Sequence, residues 1–459
     1  MHLITTHESD LDIIQDKKLY LNADSKKFDQ DIKKLNTLPY NWNDIDSARE
    51  DADYIYEFYE EIVDYLTIIL NQYNDLNLEK KYWKTLIGPW VYYFVTKYYD
   101  HYKSVTAVLN TKKNLNINIT GEYYIPNTYL GYNKLNNTAQ YTSLIYEEII
   151  NNIDLNSQIK KKILKKNIYN DLNIIENIKD KKKDLKKFTP RNKLLKFLKE
   201  ALKSIINYFF YGKSKNLITL LSLQSKNQDE LIHKIGKNKF TVFPYDLYNI
   251  FLKLNPKCKI DYDFRLFYKD KNSKDLFKNL FYKNVLKHIP IEYLENFQHN
   301  RRIIKKVFSQ NTKLAIIRVP TDFKTFNRFY LSEVVNNNGK ILSMQHGGAY
   351  GVRDIIGTEK LEINLSDQYL TWGWHSKEKN VTPFYVNKDS WIKRYNYNKS
   401  GKILYTGASC KNFFYSFDEG QLPNHKEEHI KNSIDFINHL KKSIFKDFVY
   451  RFYFQEDFN

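Results

Sequence analysis

The chain has 459 residues, a formal charge of +19 at pH 7, 42% hydrophobic and 16% aromatic residues. That length and apolar content exclude a disordered chain and allow about two or three domains with a sizeable core. The charge suggests an anionic partner, but residues 160–203 alone hold 16 Lys/Arg against 5 Asp/Glu. No RRM, KH, zinc-finger or helix-turn-helix signature accompanies that segment, so no nucleic-acid partner is expected.

The opening MHLITTHESDLD lacks the charged-then-apolar pattern of a signal peptide. No run approaches the roughly 20 apolar residues of a membrane helix. Cys258 and Cys410 stand alone and far apart, which argues against a disulfide framework and for a reducing compartment. The expectation is a cytoplasmic protein that touches a membrane at most from its inner face.

Two helices come first. Ile55, Tyr59, Ile62, Leu66, Ile69 and Tyr73 follow three-and-four spacing, and so do Trp83, Ile87, Trp90, Phe94, Tyr98 and Tyr102. Gly88-Pro89 interrupts the second run, where proline either restarts the helix or kinks it. The aromatic stripe reads as a core face. In the basic segment, Leu194, Leu198, Leu202, Ile205 and Phe209 line one face and lysines occupy the others. An amphipathic basic helix over about 190–210 fits an anionic membrane surface or an ordinary solvated lysine face.

From about Phe240 the pattern becomes α/β. KLAIIRVP predicts a strand, FKTFNRFYLSEVV a helix, and KILSMQH and DQYLTWGW two further strands. KILYTGAS, a helix over about Lys426 to Lys442, and FVYRFYF add strand, helix and strand. Such alternation implies right-handed crossovers and parallel sheets.

Ligands in open α/β sheets gather beyond the carboxyl ends of strands. The stretch SMQHGGAYG sits at such an end and concentrates glycine in a chain that has only 14. Glycines there let backbone amides approach a ligand, and His346 is placed to take a proton from a hydroxyl or donate to a phosphate oxygen. A tight turn whose histidine satisfies a carbonyl is the plainer alternative. TGAS, with Thr406, Gly407 and Ser409, is a weaker loop of the same kind and a candidate phosphate contact. HKEEH (His425 to His429) matches an inverted zinc-protease pattern, but paired surface histidines explain it better. The G-x-x-x-x-G-K-S/T and G-x-G-x-x-G fingerprints are absent.

Several segments taken in order carry a resemblance. They are HLITTHE, LPYNWND, YWKTLIGPWVYYFVTKYYDHY, IPIEYLENF, SMQHGGAYG with SDQYLTWGW, and YRFYFQEDFN. Together they resemble a family of bacterial transferases associated with surface-carbohydrate synthesis, of GT-B-like architecture with two Rossmann-like domains. The resemblance implies an α/β fold with a helical N-terminal region, a Rossmann-like parallel sheet and an incomplete second Rossmann-like domain. Residues 1–385 correspond to the acceptor-side domain: helical over 45–110, a basic insertion over about 155–215, and an α/β part over about 240–385. Residues 386–459 correspond to part of the donor-side domain. The family continues past the strand that ends this chain. About 60 residues follow Ser400 where a Rossmann-like domain usually needs over 100. The expectation is therefore a shortened donor side, with inactivity as one consequence.

Matched onto this sequence, the resemblance makes His346, Asp100 and Glu8 the candidate catalytic residues. Gln345, Gly347, Gly348, Tyr350, Gly351, Trp90 and Trp374 are candidates for substrate binding. Two departures stand out: His101 follows Asp100 where the family tends to carry arginine, and LNAD (Leu21 to Asp24) replaces a Leu-Gly-x-Trp segment. The implied activity moves a sugar from a nucleotide sugar to a glycan or lipid-linked acceptor. The nucleotide sugar is a substrate; no cofactor and no metal are implied. Two alternatives stay open: a polyol-phosphate transferase of similar fold, and a non-catalytic scaffold or remnant in a carbohydrate-assembly complex.

Overall fold

The computed structural model describes residues 2–4, 18–21, 40–111, 115–119, 124–153, 159–163, 217–221, 240–243, 258–268, 271–307, 311–385, 401–407, 413–417 and 426–451. Glu8, Ser409, Cys410, His425 and the basic segment 190–210 lie outside these residues.

The first part runs β1 (His2–Ile4), β2 (Lys18–Tyr20), α1 (Ile45–Asn74), α2 (Lys80–Thr111), β3 (Leu115–Ile119), α3 (Tyr129–Leu135), α4 (Ala139–Asn152) and β4 (Ile159–Ile163). Its strands form a parallel sheet in the order β2-β1-β3-β4. The second part runs β5 (Ile218–Leu221), β6 (Phe240–Phe243), α5 (Tyr262–Phe267), α6 (Leu276–His288), a 3₁₀ turn (Ile291–Tyr293), α7 (Phe297–Val307), β7 (Leu314–Ile317), α8 (Thr325–Asn336), β8 (Lys340–Met344), α9 (Gly357–Leu365), β9 (Gln368–Thr371) and β10 (Val381–Pro383). A six-stranded parallel sheet results, ordered β10-β9-β8-β7-β5-β6. After it come β11 (Ile403–Thr406), α10 (Lys426–Asn438), α11 (Lys442–Phe445) and β12 (Phe448–Arg451), with β11 and β12 paired in parallel.

The fold is thus mixed α/β with Rossmann-like parallel sheets. Both larger sheets place their first strand inside: the chain leaves β1 for β2 and returns to β3, and it leaves β5 for β6 and returns to β7. Such reversals are the switch points at which α/β proteins hold ligands. The N-terminal region, expected to be helical, therefore carries a sheet as well, and the two long helices form a crossover within it. Strands as short as His2–Ile4 and Lys18–Tyr20 give too few residues for a period to register.

Local chemistry explains the helix ends. Asp44 caps α1 by accepting from Ser47 N at 2.8 Å, and Asp75 closes it in the left-handed region at φ 51°. Helix α2 continues through Pro89 and does not restart there. Proline has no N–H for the carbonyl of Thr85, and Arg328 Nε of α8 donates one residue on, to Leu86 O, at 3.4 Å. Gly88 is needed for packing: a Cβ there would lie 2.7 Å from the Tyr59 hydroxyl of α1. Every residue from Thr85 to Tyr98 is buried, as expected of a helix that is apolar or aromatic on all sides. Trp90 stacks on Phe94 with centroids 5.6 Å apart, and Trp83 lies 4.7 Å from Phe297. Pairs of this kind add about 0.5–1.5 kcal/mol beyond their buried area.

Glu292, in the 3₁₀ turn, joins two helix starts. Its carboxylate accepts from Tyr129 N in the first turn of α3 at 2.6 Å and from the Thr325 hydroxyl in the first turn of α8. Both contacts and both helix dipoles favour the charged form, but complete burial outweighs them and pushes the carboxyl up to about 7. A folded-state value above the unfolded one means the native state holds the proton more tightly. The stability this contributes is full below about pH 4.5 and is lost as pH rises through about 7, a swing of ~3 kcal/mol. Glu292→Gln should remove that swing. Chemical denaturation at pH 5 and pH 8 should show wild type losing more stability than the variant over this interval, and equal losses would refute the assignment.

Candidate active site

The loop after β8 is held at both ends. Gln345, almost fully buried, extends the pairing with β9 through its N–H to Leu370 O at 2.8 Å. Its side-chain oxygen accepts from Trp372 N and Trp374 Nε1, each at 2.8 Å, while its amide nitrogen donates to Gly347 O at 2.6 Å. One glutamine therefore ties the exits of two adjacent strands together. At the far end, Gly351 has φ +73°, and a Cβ there would meet the Trp374 indole at 2.7 Å. Its N–H donates to Glu359 of α9 at 2.7 Å. Tyr350 is buried in a small apolar cluster with Ile356, Ile363 and Tyr369. Gly347 and Gly348 differ: neither has positive φ, and a Cβ on either would meet open space. Their role left by the geometry is an uncluttered backbone.

His346 lies between these anchors, half-buried, edge-on to Tyr350 with centroids 5.2 Å apart. Its Nδ1 is 3.5 Å from Oε1 of Glu362 and buried without a hydrogen-bond partner. Glu362 is fully buried on α9 and accepts from the Thr321 hydroxyl at 3.0 Å and the Tyr369 hydroxyl at 3.2 Å. The main-chain oxygen of His346 accepts from Arg318 Nη2 at 3.3 Å. Around the histidine is a cavity of about 330 Å³, to which Tyr93, Arg318, Thr321, Lys324 and Thr358 also contribute. Burial lowers the Arg318 guanidinium and raises the Asp322 carboxyl.

A histidine on a cavity with a buried carboxylate behind its Nδ1 is the arrangement of an oriented general base. A carboxylate so placed can fix the tautomer and stabilise an imidazolium once it hydrogen-bonds Nδ1, with Nε2 then left for a substrate proton. A separation of 3.5 Å is within what such pairs show without substrate.

The other candidates are spread more widely. Trp90 and Asp100 are both fully buried in α2 and do not line this cavity. Asp100 accepts from Asn41 Nδ2 at 3.0 Å and faces His101 Nδ1 at 3.2 Å. Burial depresses His101 to about 4, so it is neutral at pH 7. Thr406 ends β11, and Gly407 N donates to Arg451 O at 2.9 Å on its partner strand. Trp374 is half-buried and supports the loop from beneath Gly351. Glu362 and Arg318 were missed. Arg318 directly follows β7, a strand-end position that could have flagged it; Glu362 has no such signal. Among the described residues, no cluster of three or more His, Cys, Asp or Glu is arranged to hold a metal, and no helix is long and apolar enough to cross a membrane.

Parallel Rossmann-like sheets with a His–Glu pair beyond a strand end define an α/β protein with a candidate active site at the carboxyl end of its sheet. The chain belongs to the LIC12162 family of transferases, whose family model matches residues 1–459. Neither a curated protein nor a solved structure matches it.

The two kinds of glycine in the loop separate by experiment. Gly351→Ala should cost about 2 kcal/mol, from positive φ and the indole contact. Gly347→Ala should stay within about 1 kcal/mol of wild type. Urea denaturation of both variants checks this, and equal costs would contradict the loop geometry.

Proposed function

We propose that the chain is a glycosyltransferase of surface-polysaccharide or lipopolysaccharide synthesis. It takes a sugar from a nucleotide-activated donor and passes it to a hydroxyl of a glycan or lipid-linked acceptor. His346 is the general base, Glu362 orients it, and the open backbone of Gly347 and Gly348 faces the substrate. The observation that carries this reading is the His346–Glu362 pair, 3.5 Å apart, on a cavity beyond the carboxyl end of β8. Membership of a transferase family supports the reaction class. The basic segment 190–210 is the proposed contact with anionic lipid, which would place the enzyme on the inner face of the membrane where lipid-linked acceptors are presented.

The test is transfer from a panel of labelled nucleotide sugars, with CDP-polyols run alongside. His346→Gln should lower kcat by about 10²-fold or more with little change in KM, since base catalysis acts in the transition state. Glu362→Gln should lower kcat less, because the histidine remains while its orientation weakens. Undiminished sugar transfer by His346→Gln would eliminate the base assignment, and transfer from CDP-polyols alone would replace the substrate class.

A further inference from the structure

Among the cationic groups around this cavity, Arg318 has conspicuously incomplete pairing. It follows β7 at the carboxyl end of the sheet, and among the described residues its Nη2 donates to a main-chain oxygen alone, that of His346, at 3.3 Å. Its Nε is buried without a partner. No carboxylate among the described residues comes within ion-pair reach of it; Glu362 acts on it only through its field. The two nearby acids are engaged elsewhere. Glu362 holds the hydroxyls of Thr321 and Tyr369 and faces His346. Asp322 accepts from Asn327 Nδ2 at 2.6 Å and from Lys324 N at 3.1 Å.

The surroundings fit an anion. Lys324 and the hydroxyl-bearing Thr321 and Thr358 line the same cavity. Thr358 belongs to the first turn of α9, a nine-residue helix whose N-terminus no side chain caps. The positive end of that helix dipole lies where Thr358 borders the cavity. At about 330 Å³ the space lies at the small end of ligand pockets, roughly 300–1,000 Å³, so it takes one group rather than a whole nucleotide sugar.

We propose that Arg318, with Lys324 and Thr321 beside it on the cavity wall, forms a subsite for the phosphate or diphosphate ester of a phosphorylated substrate, beside the hydroxyl that His346 serves. A guanidinium offers two parallel donors to such a group. The inference builds on the transfer reading for its place in catalysis, but its own test needs no turnover.

The full chain is titrated calorimetrically at low ionic strength with inorganic pyrophosphate, UDP and farnesyl diphosphate. Wild type should bind pyrophosphate, and Arg318→Gln should weaken it about tenfold or more. Arg318→Lys should fall between, because it keeps the charge and loses the fork. His346→Gln should stay within about threefold of wild type, because Arg318 is tethered by the main-chain oxygen at that position. Tighter binding of UDP than of pyrophosphate supports the subsite with a nucleotide donor as its source, and tighter binding of farnesyl diphosphate supports it with a lipid-linked acceptor. Absence of pyrophosphate binding by wild type, or equal binding by wild type and Arg318→Gln, overturns the subsite. If melting shows Arg318→Gln unfolded, Arg318→Lys decides alone, and undiminished affinity there overturns it. The base assignment fails separately, through sugar transfer by His346→Gln, and leaves the pyrophosphate result standing.

Discussion

Helix α2 has almost no solvent face, and the architecture is arranged around that constraint. A helix buried from Thr85 to Tyr98 cannot leave its polar groups to water, so each neighbour must supply partners as well as apolar surface. Lys97, wholly buried, donates to Asn136 O and to the Thr142 hydroxyl at 3.1 Å, which fixes α4 and the turn before it. Tyr82 donates to Glu333 of α8 at 2.9 Å, and Arg301 of α7 donates to the same oxygen at 2.7 Å. Tyr98 shares Glu148 with His288 of α6. These contacts link α2 to helices from both larger sheet regions. Breaking one side would strand a buried donor or acceptor, at a cost of about 1–3 kcal/mol each.

The same helix reaches the active-site region. A side chain at Gly357 would overlap the Tyr92 hydroxyl, so the start of α9 rests directly on α2. Tyr93 OH pairs with the Thr358 hydroxyl at 3.2 Å one residue later. Glu362, which stands behind His346, is one helical turn further along. The position of the Glu362 carboxylate is therefore inherited from the packing of a helix 265 positions away in sequence. That is how a stripe of core aromatics comes to set the geometry behind His346.

Sequence patterns reported what is local and regular. The runs around Leu314, Lys340, Gln368, Ile403 and Phe448 are strands in the structure because short apolar stretches with helical spacers have few other ways to bury themselves. The glycine-rich stretch was legible as a strand-end loop for the same reason. Its internal division was not: Gly351 serves φ and the indole of Trp374, whereas Gly347 and Gly348 serve neither. Gln345, a candidate substrate contact by sequence, binds the loop to the neighbouring strand exit, a role no local pattern announces. Glu362 was invisible because its partner is 16 residues upstream and an acidic residue within a helix usually reads as a solvated face. Trp90 carried a period that fits a core as well as a binding face, and its burial belongs to the core.

His346 serves two neighbours with different parts of itself. Its ring faces the buried carboxylate of Glu362, and its main-chain oxygen holds the Arg318 guanidinium. Opposite charges are thereby kept on separate sides of one residue, so Arg318 is not paired with the acid that faces the imidazole. In a site of low effective dielectric, a direct Arg–Glu pair would be the stronger attraction and would leave the histidine without its orienter. The anchors at Gln345 and Gly351 hold the loop on either side of His346. A loop pinned at its ends and bare at Gly347 and Gly348 keeps its charged groups apart while its backbone stays accessible, which is the geometry that preorganisation requires: dipoles set in place before any ligand arrives.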